Sequence, residues 1–120
     1  MLLASPALGQ DAVPSGQALA LWEVLWERVE GGTTQAVLRF IAPDVARDGG
    51  TVDAAAAMAD ILSLCESHAL PLARLPYGRT DAVVVTLMDR PVPRGETDPD
   101  ATQYFEVFRV ADGRCEAEAF

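Results

Sequence analysis

The sequence predicts an α+β fold: a small antiparallel sheet with one helix packed on a face, in the order β-β-α-β-β-β. Three observations carry this. Met58, Ile61, Leu62, Cys65 and Ala69 recur at helical spacing and form one apolar stripe. Short β-rich runs, Thr34 to Ile41 and Ala82 to Met88, lie on either side of that helix. Asp112-Gly113 separates two alternating runs near the C-terminal end, the dipeptide that a two-residue hairpin with positive φ requires.

Gln17 to Val29 fits two patterns. As a helix it carries Leu19, Trp22, Trp26 and Val29 on one stripe and Glu23, Glu27 and Glu30 on another, with Ser15 to cap it and Gly31 to end it. As a strand it places Ala20, Trp22, Val24 and Trp26 on one face. The pattern alone leans to helix. The following run, Thr34 to Ile41, with Glu30-Gly31-Gly32-Thr33 as a hairpin turn, leans to strand. The central helix follows the turn Asp48-Gly49-Gly50-Thr51, with Thr51 as expected N-cap and Asp53 in the positive first turn. Leu70-Pro71 should stop it, because a residue before proline avoids the helical region. Asp53, Asp60, Ser63 and Ser67 lie off the apolar stripe.

Ala82 to Met88 is apolar throughout and reads as a buried strand, ended by Pro91 and Pro93. Gln103 to Val110 alternates, and Arg114 to Ala119 returns across the Asp112-Gly113 turn. In that register Val110 faces Cys115, Phe108 faces Ala117, and Arg109 faces Glu116 with opposite charge.

The first residues, Met1 to Gln10, look like the tail of a secretory leader. Small residues at Ala7 and Gly9 have signal-peptidase spacing, so cleavage is expected after Gly9. The expected organisation is a leader remnant over 1–9, a flexible lead-in over 10–16 and one α+β domain over 17–120. Export from the cytosol makes a disulfide the expected state of Cys65 and Cys115. One cysteine lies on the apolar helical stripe and the other on the inward face of the last strand. The bridge would close a loop of about 51 residues, worth roughly 4 kcal/mol in the chain-entropy model.

Eighteen acidic against nine basic residues give a formal charge of −9. That balance disfavours nucleic acid and anionic membrane surfaces as partners, and no run approaches the length of a membrane span. A solvated acidic surface could suit a basic protein partner in the cell envelope. No catalytic constellation, phosphate loop or nucleophile elbow is present, and neither cofactor nor metal is expected. His68 lies one turn from Cys65, but a structural zinc site wants four ligands and the disulfide would consume both sulfurs. His68 reads instead as a partner of the helix dipole.

The loop from Asp89 to Thr102 is the most distinctive stretch. Arg90, Arg94, Glu96, Asp98 and Asp100 are its charged partner-binding candidates. Glu96, Asp98 and Asp100 alternate like the start of an EF-hand, but the sixth position is Ala101 and the twelfth is Val107, so calcium is not expected. The loop is either a proline-stiffened connector or a binding surface. Trp22 and Trp26 fall on one side in either reading of their segment. They are expected in the core, and an exposed pair would be a binding platform.

Two segments carry a resemblance. One is Phe40-Ile41-Ala42-Pro43-Asp44 followed by Ala46-Arg47-Asp48-Gly49-Gly50. The other is Asp89-Arg90-Pro91-Val92-Pro93 followed by Gly95-Glu96 and Asp98-Pro99-Asp100-Ala101-Thr102-Gln103. With both cysteines and the terminal Glu118-Ala119-Phe120, they make the chain resemble a family of short exported proteins of unknown function from Rhodobacter-like Alphaproteobacteria. The resemblance implies a periplasmic setting, favours strand over 17–29 and supplies no catalytic residue. The expected role is a non-catalytic interaction module or accessory subunit of an envelope assembly. The alternative is a small-ligand or metal-binding domain that uses the acidic 89–102 loop.

Overall fold

The computed structural model describes residues 12–28, 34–69 and 82–118. The expected leader over 1–9, the Glu30–Thr33 turn and the Leu70-Pro71 stop lie outside these residues. The elements run β1 (Ala20–Arg28), β2 (Thr34–Ile41), a 3-10 turn (Pro43–Val45), α1 (Ala54–Leu64), a π-helical turn (Cys65–Ala69), β3 (Ala82–Met88), β4 (Gln103–Ala111) and β5 (Arg114–Ala117). Residues 20–28 are therefore strand. β1 pairs with β2 along its length, from Ala20↔Ile41 to Arg28↔Thr34, so the backbone ladder overrides a helical side-chain pattern.

The five strands form one sheet in the order β1-β2-β3-β4-β5. The α+β class and element order are as expected, but the sheet is mixed rather than wholly antiparallel. β2 and β3 pair parallel, from Gln35↔Ala82 to Ile41↔Met88. The reason is the connection: the chain leaves β2, passes through α1 and re-enters at β3, and a helical crossover returns a strand in the same direction. β3 is buried along nearly its whole length, as befits the central strand of the sheet, flanked by β2 and β4. The β4–β5 hairpin has the expected register, with Val110↔Cys115, Arg109↔Glu116 and Phe108↔Ala117. Its turn residues Asp112 and Gly113 have φ of 53° and 72°.

One face of the sheet packs on α1. Leu38, Phe40, Val85 and Leu87 meet Ala57, Ile61, Leu64 and Cys65 in a single core cluster. The helix is rotated from the expected phase. Leu62 is exposed, while Asp60 is fully buried. The cause is the N-terminal segment. Ser15 N–H donates to Asp60 Oδ1 at 2.8 Å, the Ser15 hydroxyl donates to Oδ2, and Gln17 Nε2 donates to Oδ2 at 2.7 Å. These donors satisfy a carboxylate that would otherwise be costly to bury. Val13 and Leu19 join the same core, so the stretch expected as a flexible lead-in is anchored where it is described. The helix N-cap is Asp53, not Thr51: its side chain accepts from Ala56 N–H at 2.9 Å.

Cys65 and Cys115 are disulfide-bonded, with a Cα–Cα distance of 6.3 Å. The bridge ties the helix C-terminus to the edge strand β5. His68 lies in the π-helical turn, half-buried, with its ring edge-on to Phe40 at 5.3 Å between centroids.

Candidate binding site on the open face of the sheet

Strand alternation sends Val37, Arg39, Val84, Thr86 and Met88 to the face opposite α1. Part of the 89–102 loop folds back over this face. Its base is closed by two hydrogen bonds, Asp89 N–H to the Thr102 carbonyl at 3.0 Å and Thr102 N–H to Asp89 Oδ1 at 2.8 Å. Burial pushes the Asp89 carboxyl up, but the Arg90 guanidinium and the Thr102 N–H outweigh it and hold it below its ordinary range. Val92 and Ala101 pack with Met88 and Ile41 in a second small core. Arg47 supports the loop from beneath, donating from Nη2 to the Ala101 carbonyl at 2.8 Å. The segment is thus a compact loop packed by its own side chains, with its ends together.

Arg39 is the pivot of the open face. Its side chain is only 3% exposed. Nη1 donates to Glu23 Oε2 at 2.6 Å and Nη2 donates to the Val92 carbonyl at 2.6 Å. The guanidinium also lies 5.3 Å from the Trp22 ring centroid, a cation–π contact. Its Nε–H, sealed from water, finds no acceptor among the described residues. A buried donor without a partner costs about 1–3 kcal/mol, so such groups call for an explanation.

Beyond the loop, the β3–β4 half of this face is a trough of about 390 Å³. Val84 and Val107 form an apolar floor, and Phe105, 62% exposed, forms one wall. Gln35, Thr86, Gln103, Arg39 and Arg94 supply the polar lining. Arg94 reaches in from the loop and clasps Glu27 of β1, donating from Nε and Nη2 at 2.8 and 2.9 Å. That guanidinium holds the Glu27 carboxyl below its ordinary range, against the opposing push of burial.

The expected partner-binding residues divide. Arg94 lines the trough, and Trp22 stacks on Arg39 at its back. Arg90 folds onto its neighbour Asp89 through Nε and Nη2. Asp98 accepts from Asp100 N–H at 2.9 Å and shapes a turn. Glu96 is exposed, outside the trough. Among the described residues no three His, Cys, Asp or Glu side chains converge on a point where a metal ion could sit.

The tryptophans are not core, and they are not a pair. Trp22 and Trp26 are 40% and 41% exposed. The β1–β2 register shifts between Leu21 and Glu23, a bulge that turns Trp22 toward Arg39 on the open face. Trp26, opposite Ala36, faces the α1 side. Strict alternation therefore misplaced Trp22 by one residue.

The whole chain, residues 1–120, matches the family described as "Family of unknown function (DUF6497)". The chain belongs to that family. No curated protein and no solved structure matches it. Membership in DUF6497 assigns no substrate, partner or site residue, so the site rests on its own geometry. Sequence reasoning missed Arg39, Thr86, Gln35, Gln103 and Phe105. The available signal was an arginine inside the apolar run Ala36-Val37-Leu38-Arg39-Phe40, because a charge at a buried strand position needs partners brought from elsewhere.

Proposed function

We propose that this DUF6497 chain is an exported, non-catalytic binding domain of the bacterial cell envelope, and that it binds through the open face of its sheet. One observation carries the reading: the α1 side is filled by a core, while the opposite side carries a trough with an apolar floor and convergent polar groups. That combination is the usual character of a small-molecule site. The polar lining is two arginines, two glutamines and a threonine. These groups orient a ligand by hydrogen bonds, and none of them exchanges protons near neutral pH. The Cys65–Cys115 bridge suits an oxidising compartment. No helix among the described residues is long and apolar enough to cross a membrane.

A second reading, docking of an envelope protein as an accessory subunit, is favoured by the exposed rings of Phe105 and Trp22 on the same face. Two measurements test the proposal. Expression from the native gene and sequencing of the mature N-terminus should give a periplasmic chain beginning at Gln10. A reduced, cytosolic chain that retains Met1 contradicts export. Backbone-amide mapping of ligands from periplasmic extract should perturb Thr86, Phe105 and Val107. Perturbation confined to the α1 side contradicts the open face as the binding surface.

A further inference from the structure

We propose that the trough takes a small amphipathic carboxylate, its carboxylate held by Arg39 and Arg94 and its apolar body resting on Val84, Val107 and Phe105. The inference rests on the open face being the binding surface, and it names the chemistry that face selects.

Charge is the first argument. Acids outnumber bases eighteen to nine along the chain. Among the described residues the trough departs from this balance, with two guanidiniums and no carboxylate in its lining. Glu23 and Glu27 pair with these arginines from β1, opposite Arg39 and Gln35 on the same face, so they border the trough and do not line it. With each guanidinium balanced by one carboxylate, the trough is a charge-balanced patch on a strongly anionic protein, where an anion meets less repulsion than elsewhere on the surface.

The unfilled donors are the second. Arg39 is 97% buried by its 3% exposure, and its Nε–H has no acceptor among the described residues. Glu23 and the Val92 carbonyl occupy only Nη1 and Nη2. Arg94 uses Nε and Nη2 for Glu27, and its Nη1 takes no part in that pair. A planar carboxylate has the acceptor geometry that guanidinium edges match, and such charge-assisted bonds are about twice as strong as neutral ones.

The remaining lining sets the ligand's other end. Val84, Val107 and the Phe105 ring offer apolar contact, and Thr86, Gln35 and Gln103 allow one or two further hydrogen bonds. At about 390 Å³ the space is near the small end of ligand pockets, which run from roughly 300 to 1,000 Å³. This suits a short acyl or aryl acid and not a nucleotide or a long lipid.

The test uses the oxidised, full-length, ¹⁵N-labelled protein. 3-Phenylpropionate is the probe, and 3-phenylpropanamide is its uncharged counterpart. The expected result is saturable shifts of the Arg39 Nε–Hε signal and of the Thr86, Phe105 and Val107 amides. The amide should bind about tenfold more weakly or worse, as losing a charge-assisted bond entails. Arg94→Met, at a half-exposed position, should weaken the acid by a similar factor and the amide by clearly less, so that the acid loses its advantage over the amide. An acetylated tripeptide ending in phenylalanine carries the same carboxylate beside the same ring. Tighter binding of its free-acid form than of 3-phenylpropionate supports the chemistry and makes a protein C-terminus the source; weaker binding supports a free acid. Equal binding of acid and amide at these residues overturns the carboxylate while leaving the open face as the binding surface. No perturbation of them by any probe overturns both.

Discussion

Arg94 and Glu27 stand 67 residues apart in sequence and lock in a two-pronged pair, Nε to Oε2 at 2.8 Å and Nη2 to Oε1 at 2.9 Å. The pair fastens the 89–102 loop across the sheet to an edge strand. Its side chains are 42% and 29% exposed, so solvent screens it, and such pairs contribute about 0.2–1 kcal/mol. Replacing Arg94 and Glu96 together with alanine should therefore change stability by less than about 1 kcal/mol in a denaturant titration. A larger loss would make the loop a structural strap.

The same pair sets a pH dependence. The Glu27 carboxyl lies below its ordinary value of 4.5 when folded. Its stabilising contribution is then fully present above that value and is lost as pH falls through the lower, folded one. Wild type should exceed Glu27→Gln in stability at near-neutral pH, and the difference should vanish in strong acid. A difference that instead grows on acidification would reverse the sign argued here.

Asp60 holds the N-terminal segment to α1. Asp60→Ala strands the Ser15 and Gln17 donors, at a cost of about 1–3 kcal/mol for a buried donor left unpaired. Hydrogen exchange adds a local readout, because Gly16 N–H donates to the Val13 carbonyl at 2.9 Å within that segment. In the variant, exchange at Gly16 should accelerate more than exchange in β3. Uniform acceleration would mean that the segment is not a separate clasp.

The Cys65–Cys115 bridge spans 50 residues of sequence. Replacing both cysteines with serine should lower stability by roughly 4 kcal/mol if the effect is mainly on the unfolded chain. Reduction of wild type should add about 2 Da in intact mass, one hydrogen for each sulfur freed from the bond. Two freely alkylatable thiols in the folded, oxidised protein would contradict the bridge.

Two glycines should respond differently to alanine. Gly113 has φ of 72° in the β4–β5 turn, with open space around an added Cβ. Gly113→Ala should cost about 1 kcal/mol through backbone strain alone. At Gly50 an added Cβ would collide with the backbone carbonyl oxygens of Ala46 and Asp44. Those atoms belong to the turn that enters α1, where Thr51 and Val52 N–H both donate to the Asp44 carbonyl. Gly50→Ala should therefore be the more damaging change in thermal unfolding.

Much of this protein was legible in its residues. The apolar run of β3, the Asp112-Gly113 turn and the hairpin register around Cys115 are local patterns, because strand alternation and turn chemistry act over a few residues. The cysteine pairing followed from two such local placements. The trough was not legible. Its lining comes from β2, β3, β4 and the loop, and no short window of sequence holds them together. Arg39 drew no reading from its neighbours in sequence, because its partners Glu23, the Val92 carbonyl and Trp22 reach it only in space.

Local patterns in the residues carry the α+β class, the order of elements, the last hairpin and the inward placement of both cysteines. Tertiary structure decided four things. β1 is a strand because β2 supplies its hydrogen-bond ladder. β2 and β3 run parallel because α1 crosses between them. The helix buries Asp60 because Ser15 and Gln17, more than forty residues earlier, satisfy it. Trp22 turns to the open face because a one-residue bulge reverses the alternation of β1. Each depends on hydrogen-bond partners distant in sequence. A buried polar group is settled by what reaches it in space, and a local pattern does not record that.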